Sequence, residues 1–297
     1  MINTYNDSLA NPNIFKQLSV KDMLFVYYKC PQISRLIQLY NHYNLIAFSL
    51  EGERTLHQGG KVWRVTPKTS YFQRKSAYVQ ELSDAQHWKV LAFHIPDQFL
   101  INFVKEYLDF LPTTNLPRTN SDMFIKIELN AVTEAYFYSL LPYFSKPEKQ
   151  SEKLLELKFK ELFLTILTNP ANKQLLSYIL QLNTTGKPPI WQVMEKNYLY
   201  GLTLKEYAQL SSRSLSAFKR DFKLHYAESP GKWLTNKRLE HACVLLKTTQ
   251  QTITDVTLNA GFKNVSHFSR RFKEKYNIPP ISYKNLHSNQ IEKKKDF

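Results

Sequence analysis

Hydrophobic and polar positions follow one rhythm up to about residue 97 and another beyond it. From Leu45 the chain reads Leu-Ile-Ala-Phe-Ser-Leu, then Glu51-Gly52-Glu53, then Arg54-Thr55-Leu56-His57 and a second turn at Gly59-Gly60. Val62–Val65, Tyr71–Gln73, Ala77–Gln80 and Trp88–Ile95 follow. Short runs rich in β-branched and aromatic residues, punctuated by turn residues, predict the strands of a sandwich or small barrel. Past residue 97 the period lengthens. Phe99, Phe103 and Tyr107 are spaced by four, and Leu154, Leu157, Leu162 and Ile166 recur among Glu156, Lys158, Lys160 and Glu161. This spacing predicts helices at 97–110, 128–144, 149–168 and 171–182. Pro112, Pro117, Pro147 and Pro170 fall between them, as helix breakers should.

A polar segment with Gly186, Pro188 and Pro189 then reads as a linker, and beyond it the chain repeats itself. An offset of 50 residues aligns Phe218 with Phe268, Arg220 with Arg270, Phe222 with Phe272, Tyr226 with Tyr276 and Pro230 with Pro280. Each copy reads as helix, turn, helix. In the first, Leu204, Tyr207, Ala208 and Leu210 form an apolar face, Ser211-Ser212-Arg213 the turn, and Ser214 an N-cap. In the second, Ile253, Val256 and Ala260 face inward, Gly261 ends the helix and Asn264 caps the next. The Phe218/Phe222 and Phe268/Phe272 pairs read as core. Between the copies, Pro230–Lys247 carries a stripe of Trp233, Leu234, Leu239, Ala242, Leu245 and Leu246. A helix of that length is a rod of ~27 Å, set against ~34 Å between adjacent major grooves on one face of B-DNA.

Charge sharpens this picture. The 297 residues carry 40 Lys+Arg and 25 Asp+Glu, but residues 184–297 alone hold 20 basic and 9 acidic residues. An excess concentrated there points to a polyanionic partner. Cys30 and Cys243 have no Cys or His at ligand spacing, which excludes a disulfide framework or zinc ribbon and reads as two reduced thiols. Residues 1–7 lack the basic and apolar blocks of a signal peptide, and no apolar run approaches ~20 residues. A soluble cytoplasmic protein is expected.

The segment Leu202–Asn285 resembles the C-terminal DNA-binding domain of the AraC/XylS family of transcription regulators. The resemblance is carried by Arg238-Leu239, Ala242, Leu245-Leu246, Ala260-Gly261-Phe262, the run Ser266–Lys273, Pro280 and Tyr283. It implies that one helix of each copy enters the major groove. Carried over by position, the groove-facing candidates are Ser216, Lys219 and Arg220, then Val265, Ser266, Ser269 and Arg270. Arg213, Ser214, Lys223, Asn264 and Lys273 complete the candidate DNA-binding set, Lys219 and Lys223 facing phosphate and the two arginines reading guanine. Ala227 and Asn277 stand where the family usually has Gly, so the turn before Pro230 is expected to differ in shape. Thr257 replaces a small Ala, and Lys284 an Arg.

The strand-then-helix order of residues 20–182 is similar to the cupin-like sensory and dimerisation domain of the same family. His57, His87 and His94 form no His-x-His pair, so no metal and no cofactor is expected. His42, His57, Trp63 and Tyr71 are candidates for an effector pocket or simply for core. The fold class is thus α+β. A cupin-like unit at 1–183 precedes a linker at 184–189, an all-α double helix-turn-helix domain at 190–288 and a basic tail at 289–297. The expected function is a sequence-specific transcription regulator, an activator rather than an enzyme. Its expected partners are double-stranded promoter DNA, RNA polymerase and a second copy of the chain. A small-molecule or protein effector stays open, and no membrane partner is expected. The competing classes are a cupin-type enzyme fused to a DNA-binding domain and an architectural protein with little sequence preference.

Overall fold

The computed structural model describes residues 1–82, 87–145 and 151–292. They divide into two compact units, 1–188 and 189–297, taken in turn.

The first unit opens with β1 (Ile2–Asn3), α1 (Thr4–Ala10), β2 (Phe15–Val20), β3 (Met23–Lys29), β4 (Leu36–Asn41) and β5 (Asn44–Glu51). It continues with β6 (Arg54–Gln58), β7 (Lys61–Val65), β8 (Ser70–Gln73), β9 (Ser76–Leu82) and β10 (Lys89–Ile95). Then come α2 (Asp97–Tyr107), β11 (Phe124–Ile127), α3 (Ala131–Leu140), α4 (Glu152–Thr168) and α5 (Lys173–Thr185). The described strands form two sheets, β1-β4-β9-β6-β7 and β11-β8-β5-β10-β3-β2. The turn joining β6 to β7 holds Gly59 and Gly60, both at positive φ, as a tight hairpin requires.

Alternation along the second sheet assigns its two faces. Phe25, Ile46, Phe48, Phe72, Leu91 and Phe93 pack on the helices. There Phe48 stacks on Phe137 at 4.5 Å and Phe93 meets Phe159 at 5.3 Å. The opposite face meets Leu39, Leu56, Val65 and Tyr78 of the other sheet, with Trp88, Val90 and Phe124 between. Between the sheets lies a cavity of about 360 Å³.

Several sequence expectations shift. Strands begin well before Leu45, with β2, β3 and β4. The helix expected at 128–144 is preceded by β11 and stops at Leu140; a tighter 3-10 turn with Pro142 near its start takes Leu141–Phe144. The helix expected from 149 starts at Glu152, where the Ser151 hydroxyl accepts from Leu154 N. Pro147 lies outside the described residues. Thr184 and Thr185, expected in the linker, still belong to α5. That helix ends because Gly186, at φ +67, turns its N–H back to the Leu182 carbonyl.

The second unit is helical: α6 (Ile190–Asn197), α7 (Leu204–Leu210), α8 (Leu215–Tyr226), α9 (Pro230–Thr248), α10 (Ile253–Asn259), α11 (Val265–Tyr276) and α12 (Pro280–Glu292). Helix α9 divides its apolar stripe between the copies. Trp233 meets Phe222 of the first at 6.0 Å, while Leu239, Ala242, Cys243 and Leu246 enter one core with Val256, Phe268 and Phe272 of the second. Helix α12 runs through Glu292, so the expected tail starts inside it, and Lys293–Lys295 lie outside the described residues. No described helix is long and apolar enough to cross a membrane.

Candidate nucleic-acid interface

Each copy is built by the same local devices. Thr203 and Glu206 close a capping box on α7, and Thr252 and Asp255 do so on α10, satisfying backbone N–H groups at both helix starts. The turn after α7 passes through Ser212 at φ +54, and that after α10 through Gly261 at φ +82. A Cβ on Gly261 would come within 2.7 Å of the Leu199 carbonyl oxygen and 2.9 Å of Arg238 Nε, so only glycine fits there. Ser214 then caps α8 through Ala217 N at 3.2 Å, and Asn264 caps α11 through His267 N at 3.0 Å.

Helices α8 and α11 are each 12 residues long and start at positions 50 apart, so matching residues take matching faces. Phe218 and Phe222, like Phe268 and Phe272, are buried. Ser216, Lys219, Arg220 and Lys223 are exposed on α8; Val265, Ser266, Arg270 and Lys273 are exposed on α11, with Ser269 half-buried beside them. The side chains of Arg220 and Arg270 are 71% and 65% exposed. A basic, hydrogen-bonding stripe thus lies along the outer face of each helix, the arrangement that base edges and phosphates can meet.

Three of the sequence candidates serve the scaffold. Ser214 and Asn264 spend their side-chain oxygens on the caps. Arg213 is only 14% exposed; its Nη1 donates to the Ser211 carbonyl at 2.7 Å and its Nε to Asp221 at 3.3 Å. It holds the turn rather than facing outward. The left-handed residues after α8 and α11 also differ from expectation. Ala227 and Asn277 sit at φ 55 and 63, so the two turns share one geometry despite lacking glycine.

Other residues emerge only from the structure. Arg238 donates from Nε to Tyr198 O at 2.6 Å and from Nη2 to Tyr200 O at 2.7 Å, tying α9 to the loop that precedes α7. Asp221 accepts from both Arg213 and Arg220. Partial desolvation acts to raise its carboxyl pKa, but the two arginines outweigh this and leave it below the ordinary aspartate value. Glu274 pairs with Arg271 at 3.0 Å and lies 3.9 Å from Arg270.

In the first unit, the cavity between the sheets is lined by Tyr28, Tyr71, Tyr78, Gln73, Val90 and His94, among others. Of the sequence's pocket candidates, Tyr71 reaches it. His57 instead pairs with Glu81 at 2.9 Å, Trp63 packs edge-on against Phe124, and His42 contacts Asn3 at 2.8 Å. Among the described residues, no group of three or more His, Cys, Asp or Glu is placed to hold a metal ion.

Comparison with known proteins divides the chain at nearly the same place. The model of the ExsA N-terminal regulatory domain matches residues 44–178, and that of a helix-turn-helix domain matches residues 206–285. The chain is 22% identical to the thermoregulatory protein LcrF of Yersinia pestis, over 78% of this chain and 85% of that protein. It is 26% identical to the HTH-type transcriptional regulator ExsA of Pseudomonas aeruginosa, over 78% and 82%. Among solved structures, an apo variant of ToxT from Vibrio cholerae aligns over 91% of this chain and 99% of its own, at 12% identity and a TM-score of 0.42.

Proposed function

The chain belongs to the AraC/XylS family of transcription regulators, and from that premise we propose that it activates transcription by setting α8 and α11 into successive major grooves of promoter DNA. One observation carries this reading: two helices of equal length present Arg220 and Arg270 at equivalent exposed positions while their buried faces share one connecting helix. Arginine matches guanine O6 and N7 with two hydrogen bonds. Lys219, Lys223 and Lys273 then neutralise phosphates and set the salt dependence.

The first unit dimerises and senses an effector in this reading. Leu154 and Leu157 of α4 remain exposed, which suits a surface shared with a second copy. The inter-sheet cavity favours a small molecule over a protein as effector; its lining holds the Asp7 carboxylate and, among the described residues, no Lys or Arg, so an anionic ligand fits poorly and an uncharged one is accommodated. RNA polymerase and a cytoplasmic setting follow from the role on promoter DNA.

The test uses the full-length protein and the duplex it enriches from a random pool. Arg220→Ala and Arg270→Ala should each cost roughly 1–3 kcal/mol and flatten base preference in one segment only. Equal weakening on every sequence would instead favour the architectural protein.

A further inference from the structure

The structure gives the two copies different surroundings for equivalent arginines. In the first, a string of hydrogen bonds runs from the turn to the exposed helix face. Arg213, anchored on the Ser211 carbonyl, donates from Nε to Asp221 Oδ2 at 3.3 Å. Asp221 Oδ1 accepts from Arg220 Nε and Nη2, both at 3.2 Å. Exposure rises along the string, from 14% for Arg213 through 33% for Asp221 to 71% for Arg220. In the second copy the offset of 50 places Lys263 and Arg271 where Arg213 and Asp221 stand, so the carboxylate is missing. Glu274 accepts its hydrogen bond from Arg271 Nη1 and reaches Arg270 only as a longer ion pair, at 3.9 Å.

We propose that Asp221 is a positioning residue for base recognition: it fixes the Arg220 guanidinium against the turn, so that the first copy reads DNA with a preset arginine and the second with one held only by a longer ion pair to Glu274. The inference rests on the reading of α8 as a recognition helix. A guanidinium has five N–H donors in a planar fork. Asp221 occupies the Nε side, leaving the Nη1/Nη2 end to face guanine O6 and N7 in one orientation. An exposed ion pair adds little to stability; its value here is direction. A loosely held arginine loses rotamer freedom on binding, whereas a preset one has already lost it. The carboxylate also repels phosphate. Removing it should therefore weaken base discrimination while strengthening sequence-independent attraction, two effects of opposite sign.

Full-length Asp221→Asn and Asp221→Glu variants are compared with wild type on three duplexes. These are the selected site, the same site with the guanine changed in the segment read by α8, and a random sequence. Asp221→Asn should lose about tenfold of its preference for the selected guanine, the scale of one fixed side chain. Preference in the α11 segment and the thermal unfolding midpoint should stay as in wild type, and random-duplex binding should equal or exceed it. Asp221→Glu should recover part of the preference. Undiminished preference in Asp221→Asn, or equal loss in both variants, would overturn the proposal. Arg220→Ala runs alongside: if it leaves the α8 segment unread, the α8 reading stands apart from the Asp221 result; if it changes nothing, the α8 reading itself fails and this inference with it.

Discussion

His94 sits in the wall of the inter-sheet cavity, 2% exposed, with Nδ1 making no hydrogen bond. Burial, reinforced by nearby His42, drives its pKa down to about 3, so the ring is neutral at any working pH. A neutral imidazole offers a ligand one hydrogen bond and no charge. An uncharged apolar molecule carrying a hydroxyl or amide should therefore raise the unfolding midpoint of the full-length protein, while a carboxylate of the same size should not, since its charge would be buried unpaired. A midpoint shift with the carboxylate alone would sink this reading of the effector. The sequence put Tyr71 forward for such a site but not His94, Tyr28 or Tyr78. Cavity walls come from residues far apart in the chain, and period-2 alternation says which side a residue faces, not whether its neighbours leave a void. The placement of Arg213 was hidden for a related reason, because its partner Asp221 lies eight positions on and only side-chain geometry joins them.

At the scale of elements, the ends of α8 and α11 are informative. Ala227 and Asn277 both occupy the left-handed region that glycine fills without cost. The Cβ of alanine there costs about 1–2 kcal/mol, partly offset because alanine restricts the unfolded chain more than glycine does. Ala227→Gly should thus stabilise the second unit by roughly 0.5–1 kcal/mol, and Asn277→Gly by less, since asparagine tolerates this conformation. Urea unfolding followed by circular dichroism checks it; a lower midpoint for Ala227→Gly would count against the strain argument. The sequence had marked both residues as departures but expected a different turn, because a residue's preference does not reveal what its neighbours enforce. Helices were the readable part of the chain. Their period is local, and the internal repeat showed the same pattern twice. Strands were read less completely. Met23, Leu24, Phe25 and Val26 of β3 are all buried, so that strand lacks alternation. β11 is four residues long and finds its partner, β8, about fifty residues upstream.

For the whole molecule, the arrangement of the two readers on DNA depends on α9. This helix of 19 residues spans about 28 Å, and its buried residues join the core of each copy, which makes it a strut rather than a tether. On that basis one chain reads two segments on the same face of the duplex, about 10 bp apart. Inserting about 5 bp between the segments turns one to the far side of the helix. Affinity of the full-length protein should then fall toward that of a single copy, by about a hundredfold or more, the scale lost when linked sites cannot engage together. An insertion of about 10 bp separates a strut from a tether. It restores the facing but adds roughly 34 Å of length, more than the strut spans. A flexible connection would regain affinity on this second duplex; a rigid α9 should regain it on neither. Arg270→Ala supplies the cross-check, because it should weaken binding to the native spacing but have little further effect once α11 has been displaced. If the 5-bp insertion leaves affinity unchanged and Arg270→Ala is silent on the native site, α11 does not read DNA, and its basic face serves some other partner.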